Sequence, residues 1–268
     1  MNDVTVLIPC YKSLELLKVS IKGILESTVL DTHTIVILND ADKESIEYLD
    51  SVKVQHIDLK EALGPPAVDK AIPYLNSKYV TIAQSDHIFQ SGWDKVLVEL
   101  IESREDIMFA CCGIVEPYKS GAVFHRDNLG KFVNEETYKN FHKNCEQGKY
   151  DNGKYYITDA QPSLCRTKDF LTIGGYSNNF QADWFEITAC RGLDIDYVYR
   201  MWNLYNKKGY SIATNKAVVY HGVSLNQDKY PKSGSGKIVF QRLNNISIQK
   251  FYEEFKLCQE IKLDETIY

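Results

Sequence analysis

The chain has no apolar run able to cross a bilayer: its longest, residues 107–115, has nine residues, against about 20 for a spanning helix. Nor does its start carry a basic stretch followed by an apolar signal core. Together these absences predict a soluble, unexported, cytoplasmic chain, and they permit peripheral membrane contact without indicating it. Its seven cysteines form no CxxC pair, which argues against a disulfide framework or zinc knuckle and predicts reduced, mostly buried thiols. Basic residues are not in excess, since 31 Lys and Arg against 36 Asp and Glu leave a net charge of -5. That surface is a poor one for coating nucleic acid. Neither a GxxxxGKS/T run nor GxGxxG occurs, so the usual glycine cradles for phosphate are missing.

What is present is an ordinary globular composition, 44% hydrophobic and 25% charged over 268 residues, long enough to bury a core unaided. Tyrosine is unusually frequent, with 18 residues, and can line a sugar site or fill a core. β-branched and apolar runs at 4–8, 34–38, 52–57 and 79–83 read as strands. Between them, 14–25, 43–50, 68–75 and 93–103 read as helices, with Ser13 as an N-cap and Pro73 as a kink or boundary. Strands alternating with helices at this spacing predict an α/β fold with a mostly parallel central sheet covered on both faces.

A further strand is expected at 107–115, followed by an insertion-like stretch carrying a helix near 135–143. Beyond it we expect a strand at 163–166, helices at 167–173 and 195–207, and a last strand at 218–220 ending at His221. Residues 229–237 have the composition of a mobile loop and 246–261 read as a terminal helix. With no internal repeat or clean linker, a single domain is the preferred count, its working parts divided at 1–106, 107–225 and 226–268.

Polar residues at strand ends carry the chemical information, because ligands of such sheets gather there. They are Pro9, Cys10 and Tyr11, then Asn39, Asp40 and Asp42, then Gln84, Ser85, Asp86 and His87, and finally His221. An acidic edge can hold a phosphate-rich ligand only if a cation offsets the repulsion. Two like charges 4 Å apart cost about 4 kcal/mol at an effective dielectric near 20. Asp86 with His221 is a pair suited to Mn²⁺ or Mg²⁺, and the alternative is a core histidine satisfied by hydrogen bonds. His87 is either a further ligand or, as we expect, an outward surface histidine.

Four segments, in order, resemble a GT-A glycosyltransferase of the family 2 type. VTVLIPCYK at 4–12 is similar to that family's opening strand and nucleotide-contacting loop, and IVILNDAD at 35–42 to its second strand with paired acids. YVTIAQSDHIFQSGW at 79–93 resembles the strand and turn containing the DxD motif. Residues 174–221, with GGY, GLDID, Tyr199, Arg200, Gly209, Tyr210 and VVYHG, resemble the acceptor half. The resemblance implies a nucleotide-sugar donor, with a UDP-linked sugar preferred, and a saccharide or glycoconjugate acceptor, as in polysaccharide biosynthesis.

It also implies roles. Tyr11 lies near the donor base, with Pro9 and Asn39 lining the same site, and Asp40 accepts from a base N–H. Gln84 and Ser85 face the donor, and Lys70 contacts the diphosphate or is an exposed helix lysine. Asp86 and His221 bind the metal. Asp194 is the catalytic base of an inverting transfer, with Asp196 and Glu186 as rivals for that role. Trp184, Phe185 and Asp196 face the acceptor, the aromatic pair having core packing as its rival. By its own lysines and glycines the 229–237 loop either closes over the donor or is a disordered surface loop. The chain departs from the family pattern at Gln84, Asn39 and Leu193, each standing where an acid is expected. Two other readings are a degenerate GT-A domain that binds without turnover and a sugar-1-phosphate nucleotidyltransferase. The latter would normally show a glycine-rich N-terminal loop that residues 9–13 lack.

Overall fold

The computed structural model describes residues 2–40, 42–61, 63–117, 123–130, 133–159, 162–177, 191–222, 244 and 246–263. The first half alternates as expected: β1 (Val4–Cys10), α1 (Leu14–Ser27), β2 (Thr32–Leu38), α2 (Lys43–Ser51), β3 (Gln55–Asp58), a 3₁₀ segment (Pro65–Tyr74), β4 (Tyr79–Ile82), β5 (His87–Phe89) and α3 (Trp93–Glu102). The second half holds β6 (Ile107–Glu116), β7 (Phe124–Arg126), α4 (Glu135–Glu146), β8 (Tyr155–Ile157), β9 (Ser163–Arg166), α5 (Thr167–Thr172), α6 (Arg191–Leu204), β10 (Tyr210–His221), α7 (Ile248–Phe255) and β11 (Glu260–Ile261).

All eleven strands join one sheet in the order β11-β8-β10-β6-β9-β4-β1-β2-β3, with β5 beside β10 and β7 beside β6. Only β5, β8 and β9 run against the others, so the sheet is mostly parallel. Its two faces separate residues by the strand period of two. Leu7, Ile35, Ile37, Phe109 and Cys111 face a core closed by the 3₁₀ segment, α5, α6 and α7. Val6, Ile8, Val36, Leu38 and Ala110 face the opposite core, closed by α1, α2 and α3. A smaller third cluster joins Leu16 and Val19 of α1 to Phe141, Tyr150, Val133 and Tyr220, fastening the insertion to the main body.

Local signals explain most element ends. Asp42 caps α2 by accepting from Ser45 N (2.8 Å), and Asn134 caps α4 by accepting from Thr137 N (2.9 Å). Ser13 corrects the expected cap: its hydroxyl turns back to donate to Tyr11 O at 2.6 Å and makes no cap bond. The expected helix at 68–75 is a 3₁₀ segment beginning at Pro65. Pro73, inside the segment, withholds an amide donor that an α-helical ladder would use, whereas Pro65 and Pro66 stand in the first turn, where no such donor is needed.

β3 begins later than the sequence reading, because Val52 closes α2 and Val54 N bonds back to Leu49 O. The terminal helix is shorter than expected, stopped at Lys256 in the left-handed conformation (φ 58°). Cys10, Cys111, Cys112 and Cys165 are buried free thiols, as expected, and among the described residues no cysteine is paired. Among those residues no helix is long and apolar enough to cross a membrane.

Candidate functional site

Parallel pairing brings the informative strand ends to one edge. β1 pairs with β2 up to Cys10↔Leu38 and with β4 up to Leu7↔Ile82, so Tyr11, Asn39 and Gln84 all follow at the same side of the sheet. There Lys12 and Asp40 both adopt left-handed backbone (φ 45° and 55°). Lys12 Nζ lies 2.6 Å from Asp40 Oδ2 and 5.3 Å from the Tyr11 ring centroid. The hydrogen bond to Asp40 raises the Lys12 pKa. Asn39 is buried; its Oδ1 accepts from Leu63 N (3.1 Å) and its Nδ2 donates to Gly64 O (3.4 Å). It therefore ties β2 to the loop entering the 3₁₀ segment. Pro9 lies within β1 opposite Ile37, Lys70 is exposed on the 3₁₀ segment, and Gln84 is exposed with Ser85 half-buried beside it.

The next step along this edge is a carboxylate–imidazole cluster. β5 pairs antiparallel with β10 so that His87 sits opposite His221, and Gly222 N donates to Asp86 O at 3.1 Å. His221 Nε2 is 3.8 Å from Asp86 Oδ2, and its Nδ1 is 3.5 Å from Glu116 Oε1 at the end of β6. Burial raises the Asp86 pKa, His221 opposes that and Glu116 adds to it. Asp86, His87 and His221 each offer a ligand atom, all within 4.8 Å of one another. A buried carboxylate beside imidazole nitrogens is a donor set that a divalent cation can use, and a cation there would offset the cost of burying Asp86.

His87 overturns the expectation of an outward histidine. It is 1% exposed, because pairing with β10 turns it inward, edge-on to His221 with centroids 5.2 Å apart. Burial, and then His221, hold its imidazole well below the usual histidine range. Its Nδ1 accepts from Gln84 N at 3.2 Å, so the neutral ring carries its proton on Nε2. That leaves His87 the poorest ligand of the three.

Asp194 occupies the first turn of α6, where its Oδ1 accepts from Tyr176 OH at 2.5 Å. Tyr176 follows a double-glycine turn, Gly174 (φ 81°) and Gly175 (φ 79°), that is clamped from two sides. Asp69 accepts from Tyr176 N (2.6 Å), Ser177 N (2.9 Å) and the Ser177 hydroxyl. Arg200 donates to the carbonyls of Ile173 (2.7 Å), Gly175 (2.9 Å) and Tyr176. Asp196 is the counter-ion of that clamp: it is 3% exposed, takes Arg200 Nε on Oδ2 at 2.7 Å and Asn244 Nδ2 on Oδ1 at 2.8 Å. The structure thus brings Asp86 together with His221, Tyr11 and Asp40 each to Lys12, and Asp194 together with Tyr176. Trp184, Phe185, Glu186 and the 229–237 loop lie outside the described residues.

Residues 5–163 match the sequence profile of glycosyl transferase family 2. The chain belongs to glycosyl transferase family 2. The matched span contains the Tyr11–Asp40 edge and Asp86, and ends before Asp194 and His221. Two crystal structures of S. aureus TarS share the fold. The 1–349 fragment is 9% identical with a TM-score of 0.56, and the longer chain is 10% identical with a TM-score of 0.59. They cover 82% and 94% of this chain, which spans 60% and 42% of theirs. No curated protein matches the chain by sequence.

Several residues that the structure gathers at this edge and around Asp194 carry little signal in the sequence. Glu116 stands one residue beyond the expected end of its strand, and the rule that polar residues at strand ends are informative would have found it. Lys12 carries no signal beyond its place between Tyr11 and Ser13. Asp69 and Tyr176 had no local signal beyond the GGY string, because their partners are contributed by other elements.

Proposed function

We propose that the chain is an inverting, metal-dependent glycosyltransferase of the cytoplasm. In this reading it moves a sugar from a nucleoside-diphosphate donor, UDP-linked in the first instance, to a hydroxyl of a saccharide or glycoconjugate. The observation that carries the reading is the meeting of Asp86 and His221 at the sheet edge that also holds Tyr11 and Asp40. That edge is where a parallel sheet receives a nucleotide.

Tyr11 presents a ring face to the donor base, and Asp40 accepts from a base N–H while Lys12 holds its other side. Gln84 reaches the ribose and Lys70 the diphosphate, and Asp86 with His221 would hold Mn²⁺ or Mg²⁺. A bound divalent ion would stabilise charge on the departing diphosphate. Asp194 takes the proton of the acceptor hydroxyl as that oxygen bonds to the anomeric carbon and the carbon–phosphate oxygen bond breaks on the opposite face. Tyr176 fixes the orientation of the Asp194 carboxylate through Oδ1, which supports the alignment such displacement needs. Asp196, with both oxygens engaged by Arg200 and Asn244, serves this reading by holding the turn that carries Tyr176.

The test is transfer and donor hydrolysis over a panel of nucleotide sugars, with Mn²⁺ or with chelator, comparing the native chain with Asp194→Asn. We expect metal-dependent turnover that Asp194→Asn lowers by roughly 10²–10⁴-fold with donor binding retained. Absence of turnover with every donor and metal removes the enzymatic reading in favour of a binding domain. Native rates in Asp194→Asn reassign the base.

A further inference from the structure

We propose that Glu116 is a positioning residue: its carboxylate holds His221 in the Nδ1–H tautomer and so directs the Nε2 lone pair toward Asp86. The inference rests on the proposal that Asp86 and His221 hold a divalent cation.

β6 and β10 are parallel neighbours with Val115 opposite Tyr220, so the next residue of each strand, Glu116 and His221, emerges at the same edge. The two carboxylates approach different nitrogens of one ring, Asp86 at Nε2 (3.8 Å) and Glu116 at Nδ1 (3.5 Å). A neutral imidazole has one N–H and one lone pair, and an ionised carboxylate can only accept. Without a cation Asp86 competes for the ring proton from the Nε2 side, but at 3.8 Å against 3.5 Å it is the farther carboxylate, and the tautomer with hydrogen on Nε2 would aim that proton into the space a cation needs. The tautomer with hydrogen on Nδ1 satisfies Glu116 and leaves Nε2 able to ligate. Carboxylates behind metal-bound histidines set ring orientation and basicity in this way.

Glu116 itself is only 8% exposed, and a carboxylate so buried is costly unless it meets a partner. Its place on the Nδ1 side sets it behind the ring rather than among the cluster of ligand atoms from Asp86, His87 and His221. The need for such a residue is sharpened by two features nearby. Gln84, two residues before Asp86, is an uncharged amide, and His87 has its Nδ1 engaged by a backbone N–H. Both leave more of the binding to His221.

The experiment has two readouts, neither of them turnover. Long-range ¹H–¹⁵N spectra of ¹⁵N-histidine-labelled, metal-free protein, recorded above the pH at which the ring protonates and assigned with His221→Ala, report the tautomer directly. We expect Nδ1–H in the native chain and a shift toward Nε2–H in Glu116→Ala. Mn²⁺ titration followed by the electron paramagnetic resonance of the free ion then reports affinity. We expect a loss of about 10–100-fold in Glu116→Ala, and near-native affinity in Glu116→Gln, which keeps an oxygen for Nδ1–H and nearly the same shape. A native Nε2–H tautomer, an unchanged tautomer in Glu116→Ala, or a Glu116→Gln as weak as the alanine variant overturns the inference. Native protein that takes up no Mn²⁺ at all overturns instead the metal reading on which it rests.

Discussion

Replacing Arg200 by methionine tests whether the clamp behind Tyr176 is held as the geometry implies. The change keeps most of the apolar stem and removes the guanidinium. Asp196, 3% exposed, is then left as a buried carboxylate that, among the described residues, keeps Asn244 as its hydrogen-bond partner. Breaking one side of a buried ion pair costs roughly 3–5 kcal/mol, because the remaining charge is uncompensated. The carbonyls of Ile173, Gly175 and Tyr176 lose a charged donor at the same time, so the upper part of that range is expected. Against a total stability of about 5–15 kcal/mol this is a large fraction.

Urea unfolding followed by circular dichroism gives the number, and a double-mutant cycle gives its origin. Adding Asp196→Leu to Arg200→Met removes the stranded charge and should recover more than half of the loss, since apolar replacement of a buried pair is often close to neutral. In the enzymatic reading Arg200→Met lowers kcat through the displaced Tyr176 and leaves the donor KM nearly unchanged. A loss below about 1 kcal/mol for Arg200→Met, or a double variant no more stable than the single, would refute the reasoning.

Gly175→Ala should destabilise by about 2–4 kcal/mol in thermal unfolding, combining left-handed backbone strain with overpacking. The added Cβ would lie 2.5 Å from Asp69 Oδ1 and 2.8 Å from Ile72 Cδ1 at φ +79°. Gly148→Ala, at φ +67° with nothing within 4 Å, meets the strain alone and should lose only about 1–2 kcal/mol; equal losses would sink the steric part. At Asp127 burial pulls the pKa up, but hydrogen bonds from Lys149, Tyr150 and Asn144 outweigh it and hold the carboxyl below its ordinary value. A depressed carboxyl contributes stability above its unfolded value of about 4 and loses it as pH falls through the folded value. Asp127→Asn should therefore be less stable than the native chain at pH 7, with the gap closing below about pH 4; a gap independent of pH refutes the assignment.

The sequence by itself determined the alternating first half and its polar edge, because those signals are local. The runs that became β1, β2 and β4 are largely apolar and β-branched, and polar residues follow β1 and β2 at once and β4 after Ala83. Parallel register then carries Tyr11, Asp40 and Asp86 to one side without further information.

Only the tertiary structure decided the rest. β10 runs from Tyr210, far earlier than the expected start at 218, because Thr214, Asn215 and Lys216 interrupt the apolar pattern. The strand passes through them as an irregularity opposite β6. The three-residue β5 exists as pairing with β10, and that pairing turns His87 inward against its polar reading. Asp69, Arg200 and Glu116 acquire their roles from partners on other elements. A charged side chain's identity fixes what it can bond, but burial and the partner at its tip are properties of the packed chain. Windows of sequence record periodicity and caps, whereas the pairing of two strand ends is settled by the sheet that joins them.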